Sequence, residues 1–199
     1  MHQIHTYFWS EVYMYFSDTI FRELIWSEIL FDTQNFHPDI DGSAIILWYQ
    51  KVFDIFVENS ITKSFRKYVH KGGRLRSHDD THLEKSLFQV IEKGFILSAG
   101  RLYEFLKNHI KNTPARYCEQ LLRNYIDTNM HIKQYICTKY FISSLETLIR
   151  KKILWEKRHS GCVSKKDTQI ARKLYIWNLQ EQESLLLLLG KIESWGKEV

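Results

Sequence analysis

Two predicted helices meet within Leu148-Ile-Arg-Lys-Lys-Ile-Leu-Trp-Glu-Lys-Arg-His-Ser-Gly-Cys-Val-Ser-Lys-Lys-Asp-Thr-Gln-Ile-Ala-Arg172. The first helix carries a dense basic cluster and ends before a Ser160-Gly161 turn. Ser164 and Asp167 then form a cap-like signal for the second helix, because a serine side chain can accept from the free amides of a first turn. This short span therefore contains a helix end, His159 and a capped helix start. The combination predicts a functional site at a helix-helix junction.

The composition favours a helical fold. The 199 residues suit a single domain with a substantial core, because 44% of them are hydrophobic. Only 2 Pro and 8 Gly are present, too few turn residues for a many-stranded β sandwich or barrel. Together with apolar residues at helical spacing, this composition predicts an all-α, single-domain bundle of five or six helices.

The chain divides into two predicted segments. Residues 1–38 comprise an aromatic helix over 6–31 and a loop, and residues 39–199 form the main bundle. A helix over residues 44–69 should end at Gly72-Gly73, since glycines readily adopt the left-handed geometry of a helix end.

Three further helix starts are predicted from capping residues. Thr81 and Glu84 form a capping box that opens a helix continuing to residue 106. Thr113-Pro114 predicts the next start, because proline is well tolerated at the first helical position. Residues 127–129 should separate that helix from one over 130–157, and the last helix follows Ser164.

The cysteines and the N-terminus predict a cytoplasmic protein. Three cysteines, an odd number without a Cys-x-x-Cys pair, fit a reducing compartment and no zinc site. Glu11 and Asp18 interrupt the apolar stretch that a secretion signal would need. The longest apolar run, Leu185 to Leu189, is too short to span a bilayer. We therefore expect no membrane association, no metal and no cofactor.

The basic charge is concentrated in two stretches. Residues 60–78 carry six Lys or Arg and no acid, and residues 150–173 carry nine against two acids. The rest of the chain is acidic, although the net charge of the whole is +5. This distribution favours a surface that faces a polyanion. The alternative is two solvated helix ends whose lysines complement the helix dipole.

Two stretches resemble HEPN domains (higher eukaryotes and prokaryotes nucleotide-binding). The first is His159, Ser160-Gly161, Val163-Ser164, Asp167 and Ala171-Arg172, which is similar to the family's histidine signature, capped turn and final helix. The second is Asp41-Gly-Ser-Ala-Ile-Ile-Leu-Trp-Tyr-Gln-Lys51-Val-Phe-Asp54, which looks like the family's first long helix with its tyrosine, lysine and acid. The resemblance covers roughly residues 39 to 195.

The resemblance implies RNA as the partner and, in active members, metal-independent RNA cleavage. A histidine would transfer the proton of the attacking ribose 2′-OH, and an arginine would stabilise charge on phosphorus. These roles would fall to His159, with Arg150 or Lys152 as the cation. The basic residues around them are the predicted RNA contacts: Lys151, Lys157, Arg158, Lys165 and Lys166.

One departure from the family pattern bears on catalysis. The position of the family's arginine is occupied by Leu154, and Trp155 stands at the usual polar position. Lysine cannot reproduce the bidentate phosphate geometry of arginine, so Lys152 is an imperfect substitute. The resemblance therefore implies a degenerate site, and whether the chain is an endoribonuclease is left open.

Two functions are compatible with these observations. The first is a HEPN-like domain of a bacterial toxin-antitoxin or phage-defence system that binds RNA, with or without cleaving it. The second is a non-catalytic interaction module, a homodimer or a subunit of a larger assembly. Its apolar interface would come from the aromatic N-terminal helix and Leu185–Leu189. A DNA-binding helix-turn-helix over residues 161–172 is the third hypothesis, after these two.

Overall fold

The computed structural model of the chain describes residues 17–37, 39–72, 81–151, 163–176 and 184–195. All of the regular structure in these ranges is helical, which confirms the predicted all-α class. The elements are α1 (Asp18–Phe36), α2 (Ser43–Val57), a π turn (Glu58–Thr62), α3 (Lys63–Lys71), α4 (His82–Lys93), α5 (Ala99–Ile110), α6 (Tyr117–Thr128), α7 (Met130–Ile136), α8 (Lys139–Arg150), α9 (Lys165–Tyr175) and α10 (Leu185–Trp195).

The predicted number of helices is wrong. Because α2, the π turn and α3 are continuous, the described ranges contain nine helices rather than five or six. The helix predicted from Thr81 to residue 106 is two helices, since Gly94 adopts φ 70° at the end of α4 and Ser98 caps α5. The helix predicted over 130–157 is also broken, because the Thr138 side chain accepts from the amide of Phe141 and starts α8.

The helix starts predicted from Thr81 and Ser164 are confirmed by local hydrogen bonds, whereas the first helix ends at Phe36 and not at residue 31. Thr81 Oγ1 accepts from the amide of Glu84 at 3.3 Å, and Ser164 Oγ accepts from that of Asp167 at 3.3 Å. The predicted break at 127–129 separates α6 from α7. The predicted start at Thr113 is wrong, because α6 begins at Tyr117 and Thr113 Oγ1 donates to the Asn108 carbonyl near the end of α5.

Glu84 contributes to a helix that is distant in sequence. Its carboxylate accepts from the amides of Cys118 at 2.7 Å and Glu119 at 3.2 Å. These amides lie in the first turn of α6, where no intrahelical acceptor exists. One side chain therefore fixes the start of α6 against α4.

The core is built around α2. Its buried residues include Tyr49, Phe53 and Phe56, and α1, α9 and α10 pack on it. Leu185–Leu189 of α10 are all buried, so the prediction that this run forms an exposed interface is wrong. No helix within the described ranges combines the length and apolarity needed to cross a membrane.

Candidate functional site

The two stretches that carry the HEPN resemblance meet at the start of α9. The amide of Gly42 donates to the Val163 carbonyl at 3.0 Å, and the amide of Val163 donates to Asp41 Oδ1 at 2.7 Å. Asp41 Oδ1 also accepts from the amide of Ser43 at 3.1 Å and from its hydroxyl at 2.8 Å. The Asp41 turn is thus bound directly to the residue before the Ser164 cap.

The electrostatics of Asp41 fit this role. Burial acts to raise the pKa of its carboxyl, but the hydrogen bonds from Val163 and Ser43 outweigh burial and leave the pKa below its usual value. Hydrogen bonds to the ionised form stabilise that form. Asp41 is therefore a charged anchor for the turn.

A buried amide and a glycine complete the contact. Gln34 of α1 accepts from Thr168 Oγ1 at 2.6 Å and donates to the Ile40 carbonyl at 2.8 Å. A Cβ atom at Gly42 would overlap Cγ2 of Thr168 and lie 2.8 Å from Gln34 Nε2. Only glycine fits there, because the turn packs directly against α9.

A buried ion pair joins α1, α2 and α9. Arg172 donates from Nε and Nη2 to Glu28, at 2.6 Å for the shortest contact, and Tyr49 Oη donates to the same carboxylate at 2.6 Å. Glu28 is only 6% exposed, and the Arg172 guanidinium lies 5.0 Å from the ring centre of Phe31. Arg172 is therefore engaged within the fold.

The pKa values in this cluster reflect burial and charge. Burial, followed by the neighbouring Glu28, raises the pKa of Tyr49 well above its ordinary value. Burial acts to lower the pKa of Arg172, but the hydrogen bonds and charge of Glu28 raise it overall. The cluster consequently holds a neutral phenol and a charged guanidinium at any physiological pH.

The tyrosine, lysine and acid of the second stretch also have partners within the chain, although the Lys51 side chain is half-exposed. Lys51 pairs with Glu23 at 2.9 Å. Asp54 Oδ1 accepts from Gln50 Nε2 at 2.7 Å, and Gln50 Oε1 accepts from Tyr175 Oη at 2.8 Å. With Tyr49 bound to Glu28, these residues hold α2 to α1 and α9.

The structure describes four of the eight predicted site residues. Arg150 ends α8 with its side chain 77% exposed, and it pairs with Glu146 at 2.6 Å. Lys151 follows it and is exposed. At the start of α9, Lys165 Nζ donates to the Asn35 carbonyl at 3.2 Å, and Lys166 is exposed. The other four lie outside the described residues: His159, Lys152, Lys157 and Arg158.

Sequence reasoning missed Glu28 and Gln34. Both lie in the segment that was assigned to a separate N-terminal element, yet both bond to α9. A sequence signal was present for Glu28, because it falls on the same helical face as the buried Leu24 and Phe31. An acid on an apolar stripe indicates a buried partner of opposite charge.

The cysteines in the described part are poorly suited to nucleophilic chemistry. Burial, followed by the Glu84 hydrogen bond, raises the pKa of Cys118 to about 12. Burial likewise raises the pKa of Cys137 to about 11. The thiolate is the reactive form, so neither thiol is activated at neutral pH. The same residue ranges contain no group of three or more His, Cys, Asp or Glu that could hold a metal ion.

Comparison of the chain with family models, curated proteins and solved structures finds no match.

Proposed function

We propose that this chain is a HEPN-like RNA-binding domain whose RNA site lies at the junction between α8 and α9. The observation that carries the proposal is the direct contact between Asp41-Gly42 and Val163, since it joins the two stretches on which the resemblance rests. The cations that flank the junction in sequence add to it. Arg150 and Lys151 end α8, while Lys165 and Lys166 open α9.

Binding is the primary activity in this proposal, and cleavage is secondary. Phosphate contacts need only exposed cations, which Lys151 and Lys166 provide. Cleavage needs His159 together with a cation aimed at the phosphate. The sequence has Leu154 where the family has its arginine, and Arg150 is paired with Glu146. A role in a toxin-antitoxin or phage-defence system follows only from the family resemblance.

Charge reversal at the junction tests the proposal. The double variant Lys151→Glu/Lys166→Glu should bind a labelled RNA oligonucleotide at least about tenfold more weakly than the wild type. The loss of two phosphate contacts should also make the slope of the log association constant against log salt concentration less negative, by about 1.4 for a single strand. Fluorescence anisotropy at several salt concentrations measures both quantities.

The matched control is Lys85→Glu/Lys93→Glu on α4, which makes the same change in net charge at two exposed positions. Equal weakening in both variants would mean that only net charge matters, and the junction site would be rejected. The same samples in EDTA report cleavage. Cleavage that persists in EDTA and disappears in His159→Ala identifies an active enzyme, whereas intact RNA throughout identifies a binding domain.

A second candidate function, self-association, is favoured by an apolar face on α1. Trp26 is 52% exposed and Ile29 is 48% exposed, one helical turn apart, and Phe36 is exposed near the end of the helix. Large apolar side chains clustered on one exposed face are typical of interaction surfaces. We propose that the partner is a second copy of this chain. Self-association through α1 is compatible with RNA binding at the α8–α9 junction.

Self-association predicts a mass change in one variant. Trp26→Glu/Ile29→Glu should be monomeric by multi-angle light scattering at a concentration where the wild type is dimeric, because four charges would enter the dimer interface. Phe95→Glu/Ile96→Glu is the control, since these residues are equally exposed between α4 and α5. A monomeric wild type rules the proposal out.

A further inference from the structure

A basic groove lies where the π turn meets α3, α6, α7 and α10, and its described lining includes none of the cations at the α8–α9 junction. It has a volume of about 600 Å³ and is lined by Lys63, Lys67, Lys71, Tyr68, Tyr125 and His131, among others. Ser64 Oγ and Tyr125 Oη are 2.5 Å apart and join α3 to α6 at the groove. π turns occur frequently at functional sites.

The groove is positively charged along one side. Lys63, Lys67 and Lys71 follow one another at four-residue spacing on α3, about 6 Å apart along the helix axis. All three are exposed, and the Lys63 ammonium bonds to the neutral side chain of Asn59 at 2.8 Å. Arg66 on the same helix is paired with Glu58 instead. Glu193 is the single acid among the lining residues, so the described lining is net cationic.

A second hollow continues the groove. It has a volume of about 380 Å³, shares Tyr68 and Lys71 with the first, and reaches Tyr117 of α6. Tyr68 is 38% exposed and Tyr117 is 42% exposed. The Tyr68 ring packs against that of Tyr125 with centres 5.5 Å apart, which holds the ring in place. The two hollows thus form one track, in which the three lysines of α3 lie beside the exposed rings of Tyr68 and Tyr117.

The shape of the track selects its ligand. Sites for small molecules enclose most of the ligand surface, whereas the lysines along this track are exposed to solvent. A duplex is a poor fit as well, because its bases stack on one another and cannot stack on tyrosines. Proteins bind single strands with a basic groove along the backbone and aromatic side chains beneath the bases.

We propose that this track binds single-stranded nucleic acid. The phosphates lie along Lys63, Lys67 and Lys71, and bases stack on Tyr68 and Tyr117. The choice of RNA over DNA as the ligand rests on the proposed function. The proposal that the track binds a single strand does not depend on it. Its residues are separate from the cations of the α8–α9 junction.

Two kinds of variant test the track, with labelled oligouridine as the probe. Lys63→Gln/Lys67→Gln/Lys71→Gln should weaken binding at least about tenfold and reduce the slope of log K against log salt by about 2, for three lost phosphate contacts. Tyr68→Leu should weaken binding by about tenfold with an unchanged slope, because stacking releases no counterions. Circular dichroism establishes that each variant is folded.

The control is Lys85→Gln/Lys93→Gln/Lys111→Gln, three exposed lysines outside the track. The proposal is overturned if this control loses as much affinity as the track variant, if the track variant binds like the wild type, or if duplex RNA binds as tightly as the single strand. Equal binding of oligothymidine supports the track and removes the preference for RNA. Loss of binding in the track variant beside normal binding in Lys151→Glu/Lys166→Glu would retain the track and reject the junction site.

Discussion

Replacement of Arg172 by alanine should lower the free energy of unfolding by about 3–5 kcal/mol. The reason is the burial of Glu28, whose carboxylate would keep the Tyr49 hydroxyl as a partner but lose its charged one. An uncompensated charge in the interior is expensive, and water cannot reach it well at 6% exposure. Urea denaturation followed by circular dichroism measures the change, provided that the m-value is the same in both proteins.

Three further variants separate this explanation from a general loss of side-chain packing. Arg101→Ala breaks an exposed pair with Glu104 and should cost at most about 1 kcal/mol. Tyr49→Phe removes one hydrogen bond to a charged group and should cost about 1.5–3 kcal/mol. Adding Glu28→Gln to Arg172→Ala should recover stability, because the buried charge is then gone. A double variant no more stable than Arg172→Ala would contradict the buried-charge explanation.

The helical class was predictable because its signals are local. Apolar spacing and the Thr81 and Ser164 caps each involve residues within one or two turns of each other. The helix count was not predictable in the same way. Apolar periodicity continues across both breaks and predicts one long helix in each place, whereas Gly94 ends α4 in the left-handed region and Thr138 caps α8.

The junction was predictable in part. Local motifs identified the Asp41 turn and the Ser164 cap, but not that Val163 connects them across 122 residues of chain. Glu28 and Arg172 are 144 residues apart, and no local pattern pairs them. The basic stretch over 60–78 was visible as charge, whereas the track needs Tyr117 and Tyr125 from α6. Pairings of this kind follow from the tertiary fold.

Substitution of Gly42 by alanine should lower the free energy of unfolding by about 1–3 kcal/mol, since it adds a methyl group to a fully packed contact. The new Cβ would overlap Cγ2 of Thr168 and lie 3.1 Å from the backbone carbonyl of Val163. Thr168 cannot rotate away cheaply, because its hydroxyl is bonded to Gln34 and to the Lys165 carbonyl. Urea denaturation of the variant measures the loss.

The same substitution at Gly100 is the control for this experiment. A Cβ there meets nothing within 4 Å, so Gly100→Ala on α5 should be neutral or stabilising by about 0.4–1 kcal/mol. Thr168→Ser removes the overlapping methyl group and keeps the hydroxyl that bonds to Gln34. If steric overlap is the cause, Gly42→Ala should therefore cost less in the Thr168→Ser background than in the wild type. Equal costs in the two backgrounds would show that the Asp41 turn does not pack on α9 as described, and the junction on which RNA binding is proposed would lose its structural basis.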